Sequence, residues 1–268
     1  MSADKASERF ASGDLAGAIE IVTATVKKSP TDRDSRGLLA ELLCINGELE
    51  RADKMLDALG NQDIEAAPAL ALWRQVLRAE LSRREFFRDG RLPEFVGQPT
   101  PALEKYLEAS VFLREGDGAR AAALLAEAED LRPAVSGVCD GQAFDDLRDL
   151  DDLTAGFLEV LTTKGSYYWV PFEQIISLEF APPQRPRDLI WRRTHILVSD
   201  GPEGEVFIPA VYANALGESS DQVLLGRISD WHGGEGEPVL GIGQRTLLVG
   251  DEAVPIMQVQ AIEFERSA

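Results

Sequence analysis

Gly13-Asp14-Leu15-Ala16-Gly17-Ala18 returns as Gly47-Glu48-Leu49-Glu50-Arg51-Ala52, with the Gly, Leu and Ala of the two copies each 34 residues apart. That is the tetratricopeptide period. Each unit is a helix pair that cannot cover its own apolar face, so units stack and leave a concave surface suited to holding another protein. Gly13 and Gly47 are placed to end a first helix in a backbone conformation that disfavours side chains, Ala18 and Ala52 to let helices approach closely, and Pro30 to stop a second helix. Ala18, Ile19, Val22 and Val26, then Ala52, Met55, Leu56 and Leu59, recur at the three- and four-residue steps of amphipathic helices. A third copy, Gly116-Asp117-Gly118-Ala119-Arg120-Ala121, runs on to Leu124, Leu125, Ala128 and Pro133, and lies 69 residues after the second, one more than two periods. An irregular unit is therefore expected between them, with helices over 67–87 and 99–113 separated by Pro93, Gly97, Pro99 and Pro101. Trp73 on the first of these is read as core, with a groove position as the alternative.

After Pro133 the pattern changes to short β-branched and aromatic runs bounded by Gly and Pro. Strands are predicted over 157–163, 167–170, 175–180, 190–199, 206–208, 223–228, 246–249 and 258–265. The expected class is α+β: a tetratricopeptide-like helical repeat domain over 1–133, an acidic linker or short helix over 134–152, and a mostly antiparallel β-rich domain over 153–268. Val170-Pro171-Phe172-Glu173-Gln174-Ile175 is echoed by Val254-Pro255-Ile256-Met257-Gln258-Val259 at an offset of 84, and more weakly by Ile208-Pro209. Related hairpins in which Pro closes a strand are one reading of this echo, chance similarity the other.

A chain of 268 residues with 44% hydrophobic content has room for two packed cores. Its formal net charge of −19 repels phosphate backbones and anionic bilayers, which argues against nucleic acid and membrane partners. An acidic helical groove favours peptides carrying Lys or Arg instead. Cys44 and Cys139 form neither a metal-binding pair nor a disulfide framework, the first residues lack an apolar signal core, and no apolar run nears the ~20 residues that span a bilayer. A reduced, cytoplasmic protein without membrane insertion is expected.

The acidic run Asp140, Asp145, Asp146, Asp149, Asp151 and Asp152 places Leu where calcium ligands would stand, so it is read as a short helix over 145–153 docked by its leucines, not as a metal site. Opposite in charge is a cluster of Arg185, Arg187, Arg192 and Arg193 interleaved with prolines and Trp191. Its guanidinium groups either meet Asp149 and its neighbours across the domain junction or form an exposed partner site anchored by Trp191. His195, in a predicted strand, and His232, in a predicted loop, lack an evident nucleophile; Gly241-Ile242-Gly243 reads as a turn, and no catalytic or phosphate-binding motif is present. No catalytic residue, cofactor or metal ligand is assigned. A hydrolase built from buried carboxylates at the domain junction is kept as the alternative, since acid-base residues need no fixed spacing.

Three segments in order carry a resemblance: Phe144-Asp145-Asp146-Leu147-Arg148-Asp149-Leu150-Asp151-Asp152-Leu153, Gly165-Ser166-Tyr167-Tyr168-Trp169-Val170-Pro171-Phe172-Glu173, and Pro182-Pro183-Gln184-Arg185-Pro186-Arg187-Asp188-Leu189-Ile190-Trp191-Arg192. Together with the amino-terminal repeats, they make the chain resemble the ImpE family, also called TagJ or SciE. The resemblance implies a cytoplasmic accessory protein of the bacterial type VI secretion system without known catalytic activity. It further implies binding of the small sheath subunit through that subunit's amino-terminal helix and, indirectly, a connection to sheath recycling by the ATPase ClpV. A helix laid in a helical-repeat groove agrees with the reading of the repeats. The candidate partner surface is the helix over 38–45, with Asp34 and Glu41 exposed and Ile45 beside them, together with the neighbouring helix carrying Trp73. The candidate interdomain or alternative interface is Asp149, Arg187, Trp191 and Arg192. A repeat scaffold whose β domain is the binder is the second adaptor reading.

Overall fold

The computed structural model describes residues 2–214 and 220–265. Helices α1 (Ser2–Ser12), α2 (Leu15–Lys28), α3 (Arg33–Ile45) and α4 (Leu49–Gly60) form the two repeat pairs; a long α5 (Ala67–Asp89) follows, and α6 (Pro101–Glu115) with α7 (Gly118–Leu131) forms the third pair. The repeated Gly-acid dipeptide explains the joints. Gly13, Gly47 and Gly116 all adopt positive φ, near +87, +85 and +78°, and end the first helix of each pair. In the first and third pairs the following residue caps the second helix: Asp14 accepts from the Gly17 amide and Asp117 from the Arg120 amide. Ala18, Ala52 and Ala121 are fully buried where the paired helices meet.

The α2 start has a further cap, supplied from far along the chain. Asp221 Oδ2 accepts from the Leu15 amide at 2.7 Å and the Ala16 amide at 3.2 Å, across 206 residues. Arg227 Nη2 meanwhile donates to the Phe10 and Ala11 carbonyls at the end of α1. The unsatisfied groups of both helix ends are thus met by the second half of the chain.

Strands begin with β1 (Glu94–Phe95), followed by β2 (Gly137–Cys139), β3 (Gln142–Phe144), β4 (Leu147–Asp149), β5 (Phe157–Thr162), β6 (Tyr167–Pro171) and β7 (Ile175–Phe180), and continue through β8 (Trp191–Val198), β9 (Glu203–Pro209), β10 (Ser229–His232), β11 (Leu240–Gly243), β12 (Thr246–Val249), β13 (Glu252–Pro255) and β14 (Ala261–Phe264). The main sheet has nine strands in the order β1-β6-β5-β9-β8-β7-β14-β2-β3, antiparallel throughout except that β1, lent by the helical half, pairs parallel with β6. Smaller sheets pair β10 with β11 and β13-β12-β4.

Alternation along β5 shows how the layers meet. Phe157 and Leu161 join the core that holds Leu15, Leu56, Trp73, Phe86 and Tyr106, while Leu158 and Val160 join a second core with Val170, Ile208 and Ile262 on the opposite face. The helices and one face of the sheet therefore share one core, which continues past residue 133. Trp169 stacks on Phe157 with centroids 4.0 Å apart and meets Phe86 edge-on at 4.7 Å.

Several expectations are corrected. The 145–153 stretch is not a helix: Leu147–Asp149 is β4, paired antiparallel with β12, and Asp152–Thr154 is a single 3-10 turn. Residues 223–228 are not a strand, because Ser220 starts the short α8 (Asp221–Leu224) and Gly226, at φ +61°, ends the turn after it. Gly241-Ile242-Gly243 is not a turn but lies within β11, and His232 ends β10. Pro171, Pro209 and Pro255 do each close a strand, yet the strand after Pro171 or Pro255 does not pair with the one it closes, so the echoed segments are not hairpins. Among the described residues, no helix is long and apolar enough to cross a membrane.

Candidate functional site

The junction between α5 and β5 is built by two periodicities. On α5, Trp73, Val76, Leu77, Glu80, Arg83 and Phe86 fall at helical spacing on the buried stripe. On β5, alternation turns Glu159 to the same side as Phe157 and Leu161, toward α5. Glu80 and Arg83 are thus carried by the helix into apolar surroundings, where Arg83 meets Glu159 in a forked pair: Nε donates to Oε1 at 2.9 Å and Nη2 to Oε2 at 3.0 Å.

Arg245, fully buried just before β12, also donates to Glu159 Oε2. Its Nη1 faces Asp149 Oδ2 at 3.0 Å, close enough for an ion pair but off the hydrogen-bonding direction. Tyr167 Oη donates to Glu159 Oε1 at 2.5 Å and accepts from Trp169 Nε1 at 2.6 Å; Tyr212 Oη donates to Asp149 Oδ1 at 2.6 Å. Burial pushes the Glu159 pKa up, but Arg83 and Arg245 outweigh it and hold the carboxyl down at about 2. Burial and the neighbouring Asp149 raise Asp151 to about 7, even though its oxygens accept from the Gly241, Leu153 and Thr154 amides. Burial also raises Asp149, against the pull of Arg245.

A hollow of about 210 Å³ borders this cluster, lined by Phe86, Ser110, Arg114, Asp151, Glu159 and Tyr212 among others. Of its two acids only Asp151 has a raised pKa, while Glu159 is held ionised by arginines. Asp149, whose pKa is also raised, does not line the hollow. Among the described residues, no group of three or more His, Cys, Asp or Glu is arranged to hold a metal ion.

Of the sequence-predicted residues, Asp34 and Trp73 are placed as read, exposed and core, while Glu41, expected exposed, is not. Asp34 is exposed in the first turn of α3, but Glu41, Ile45 and Trp73 are buried, at 4, 2 and 6% exposure. The reason is a strap, residues 182–189, ending in the 3-10 turn Pro186–Leu189, that lies over α3 and α5. Arg187 sits 4.2 Å above the Trp73 ring and 3.3 Å from Glu41 Oε1; Arg185 is 3.5 Å from the same oxygen.

The arginine cluster therefore stays within the molecule, but its partner is not the acidic run. Arg192 Nη1 donates to the Ile256 carbonyl, and its guanidinium lies 4.9 Å from the Phe180 ring. Trp191 is buried, not an exposed anchor, and donates to Glu80 Oε2 at 3.2 Å. The acidic run is taken up elsewhere: β4 pairing with β12 sets Asp149 facing Arg245, while Asp146 pairs with Arg132 and Asp152 with Arg148. Sequence reasoning missed Arg83, Glu159 and Arg245. The available signal was a lone charge inside an apolar run, as in Phe157-Leu158-Glu159-Val160-Leu161.

Against known proteins, residues 141–263 match the ImpE protein family and residues 9–73 match a tetratricopeptide repeat. The chain is 29% identical over 260 residues to a Pseudomonas aeruginosa protein named type VI secretion system accessory component TagJ, covering 97% of this chain and 91% of that protein. These matches bear out the resemblance to the ImpE family. The chain's fold recurs in the crystal structure of protein VPA1032 from Vibrio parahaemolyticus, with a TM-score of 0.92, 28% identity and 98% of each chain covered. The segments that carry the family resemblance, Phe144 to Leu153 and Gly165 to Glu173, supply Asp149, Tyr167 and Trp169 to the junction cluster.

Proposed function

We propose that this chain is a non-enzymatic adaptor of the bacterial type VI secretion system that binds the amino-terminal helix of the small sheath subunit and is linked through it to sheath assembly or recycling. The observation that carries the reading is likeness over nearly the whole chain, 97% of it, to a protein named as an accessory component of that system. Helix pairs built for protein contact support it, as does a net charge of −19 that steers a basic helix toward the surface. The committed junction carboxylates fit a clasp between layers better than a reaction centre. Any connection to the ClpV ATPase runs through the sheath protein, and the working compartment is the cytoplasm.

Titration calorimetry of the full chain with a synthetic peptide of the sheath subunit's amino-terminal helix tests the reading. Saturable binding that weakens with salt is expected. Absence of heat and of pull-down with the intact sheath subunit overturns it.

A further inference from the structure

The chain itself displays a ligand on its repeat surface. The strap over 182–189 lays two guanidinium groups on the face of α3 and α5, one stacked on Trp73 and both turned to Glu41. Among the described residues, those guanidinium contacts to Glu41 are the hydrogen bonds between the strap and the helices; its other bonds are internal or run to the adjoining Ile190, with Asp188 accepting from the Gln184 and Arg185 amides at 2.8 and 2.9 Å. The strap is thus a self-braced unit held to the helices by side chains alone.

Its fit is loose. The Glu41 side chain is 5% exposed, yet its two arginines stand at 3.3 and 3.5 Å, beyond the ~2.7–2.9 Å of a good charge-assisted bond. Arg185 remains 63% exposed, and a gap of about 30 Å³ is left between Trp73, Val76 and Arg187. Burial raises the Glu41 pKa in spite of both arginines and lowers that of Arg187, as expected of charges desolvated without full pairing.

We propose that the α3 and α5 face under the strap is an arginine-reading surface, Glu41 taking the guanidinium and Trp73 its flat face, and that an arginine-bearing partner helix enters it by displacing the strap. This rests on the adaptor reading above and assigns it a location and a chemistry. A partner arginine free of the strap's backbone can close the long contacts to Glu41, and a strap that must first leave sets the apparent affinity by the fraction of chains in which it is open.

The experiment compares wild type, R185A/R187A, E41Q and W73F as full-length chains, each checked by melting, in titrations with the sheath subunit's amino-terminal peptide and with the same peptide carrying Ala in place of Arg. Loss of the strap's arginines should tighten binding about fivefold or more. E41Q and W73F should each weaken it, by about tenfold for E41Q. The arginine-free peptide should bind all chains weakly and alike. Equal affinities across the four chains, or weaker binding by R185A/R187A, overturn the surface while leaving the adaptor reading in place. No binding by any chain overturns both. E41Q that fails to fold leaves W73F and the strap variant to decide.

Discussion

Replacing Glu159 with Gln keeps the side chain's shape and removes the carboxylate that Arg83 and Arg245 share. Four donors converge on that carboxylate in the structure: Nε and Nη2 of Arg83, Nη2 of Arg245 and Oη of Tyr167. Without its charge, Arg83 is left with the Val211 carbonyl and, as counter-charge, Glu80 at 3.6 Å, and Arg245 with the off-axis contact to Asp149, both in surroundings at most 4% exposed. Stranding buried charges in this way costs about 3–5 kcal/mol. For a chain of this size that is a fall in Tm of roughly 6–20 °C. The double variant R83M/E159L removes one charge of each sign and leaves Arg245 matched with Asp149, so it should cost less than E159Q alone. Urea unfolding followed by far-ultraviolet circular dichroism, and by the fluorescence of tryptophans that include Trp169 and Trp191 at the junction, measures both. An E159Q cost under about 1 kcal/mol, or a double variant as costly as two independent losses, would refute the reasoning that the cluster is a charge-balanced clasp.

The remaining expectations are simpler. Asp151 is raised from 3.8 to about 7, so across that window the folded chain binds more protons than the unfolded one and stability declines as pH rises. Glu159, lowered from 4.5 to about 2, contributes stability that is complete above 4.5 and is lost only as pH falls toward 2. Melting temperature should therefore carry a downward contribution between about pH 4 and 7 in wild type that is absent in Asp151→Asn; identical profiles for the two count against the Asp149 and Asp151 pairing. In Gly137→Ala, the added Cβ would meet the Glu263 carbonyl at 2.2 Å and the Phe144 ring at 2.8 Å, a cost of about 1–3 kcal/mol that denaturant midpoints will read. A chain cut after residue 133 uncovers Trp73, Phe86 and Tyr106 and should aggregate or bind a hydrophobic dye strongly; a soluble, cooperatively melting fragment would show that the shared core is dispensable.

The repeat pairs were legible because Gly and Asp do local work: one residue at positive φ at each joint, and a capping Asp at the first and third, leave a period that needs no knowledge of the rest of the fold. Strands such as β5, β7 and β12 were equally legible from their apolar runs, whereas β2, β3 and β10 are three- or four-residue segments too short to display an alternation, β3 and β10 pairing with a strand close in sequence and β2 also with the distant β14. The strap could not be foreseen. Nothing local says that Arg187 will cover Trp73, and the Glu41 that looked like a solvated helix acid is buried by a segment some 146 residues away. Likewise the Arg245 partner of Asp149 follows from β4 pairing with β12, a long-range register that charge counting does not reveal.

The cap that Asp221 places on α2 has a consequence in time. The first helix pair leaves the ribosome well before the acid that completes its end, 206 residues downstream, which at ordinary synthesis rates of about 5–20 residues per second is a wait of roughly 10–40 s. For that interval the nascent array is an unlatched precursor with its inner apolar stripe in water. Newborn chains should therefore be most vulnerable to aggregation and to chaperone capture before their last fifth emerges, and the finished molecule owes the integrity of its beginning to its end.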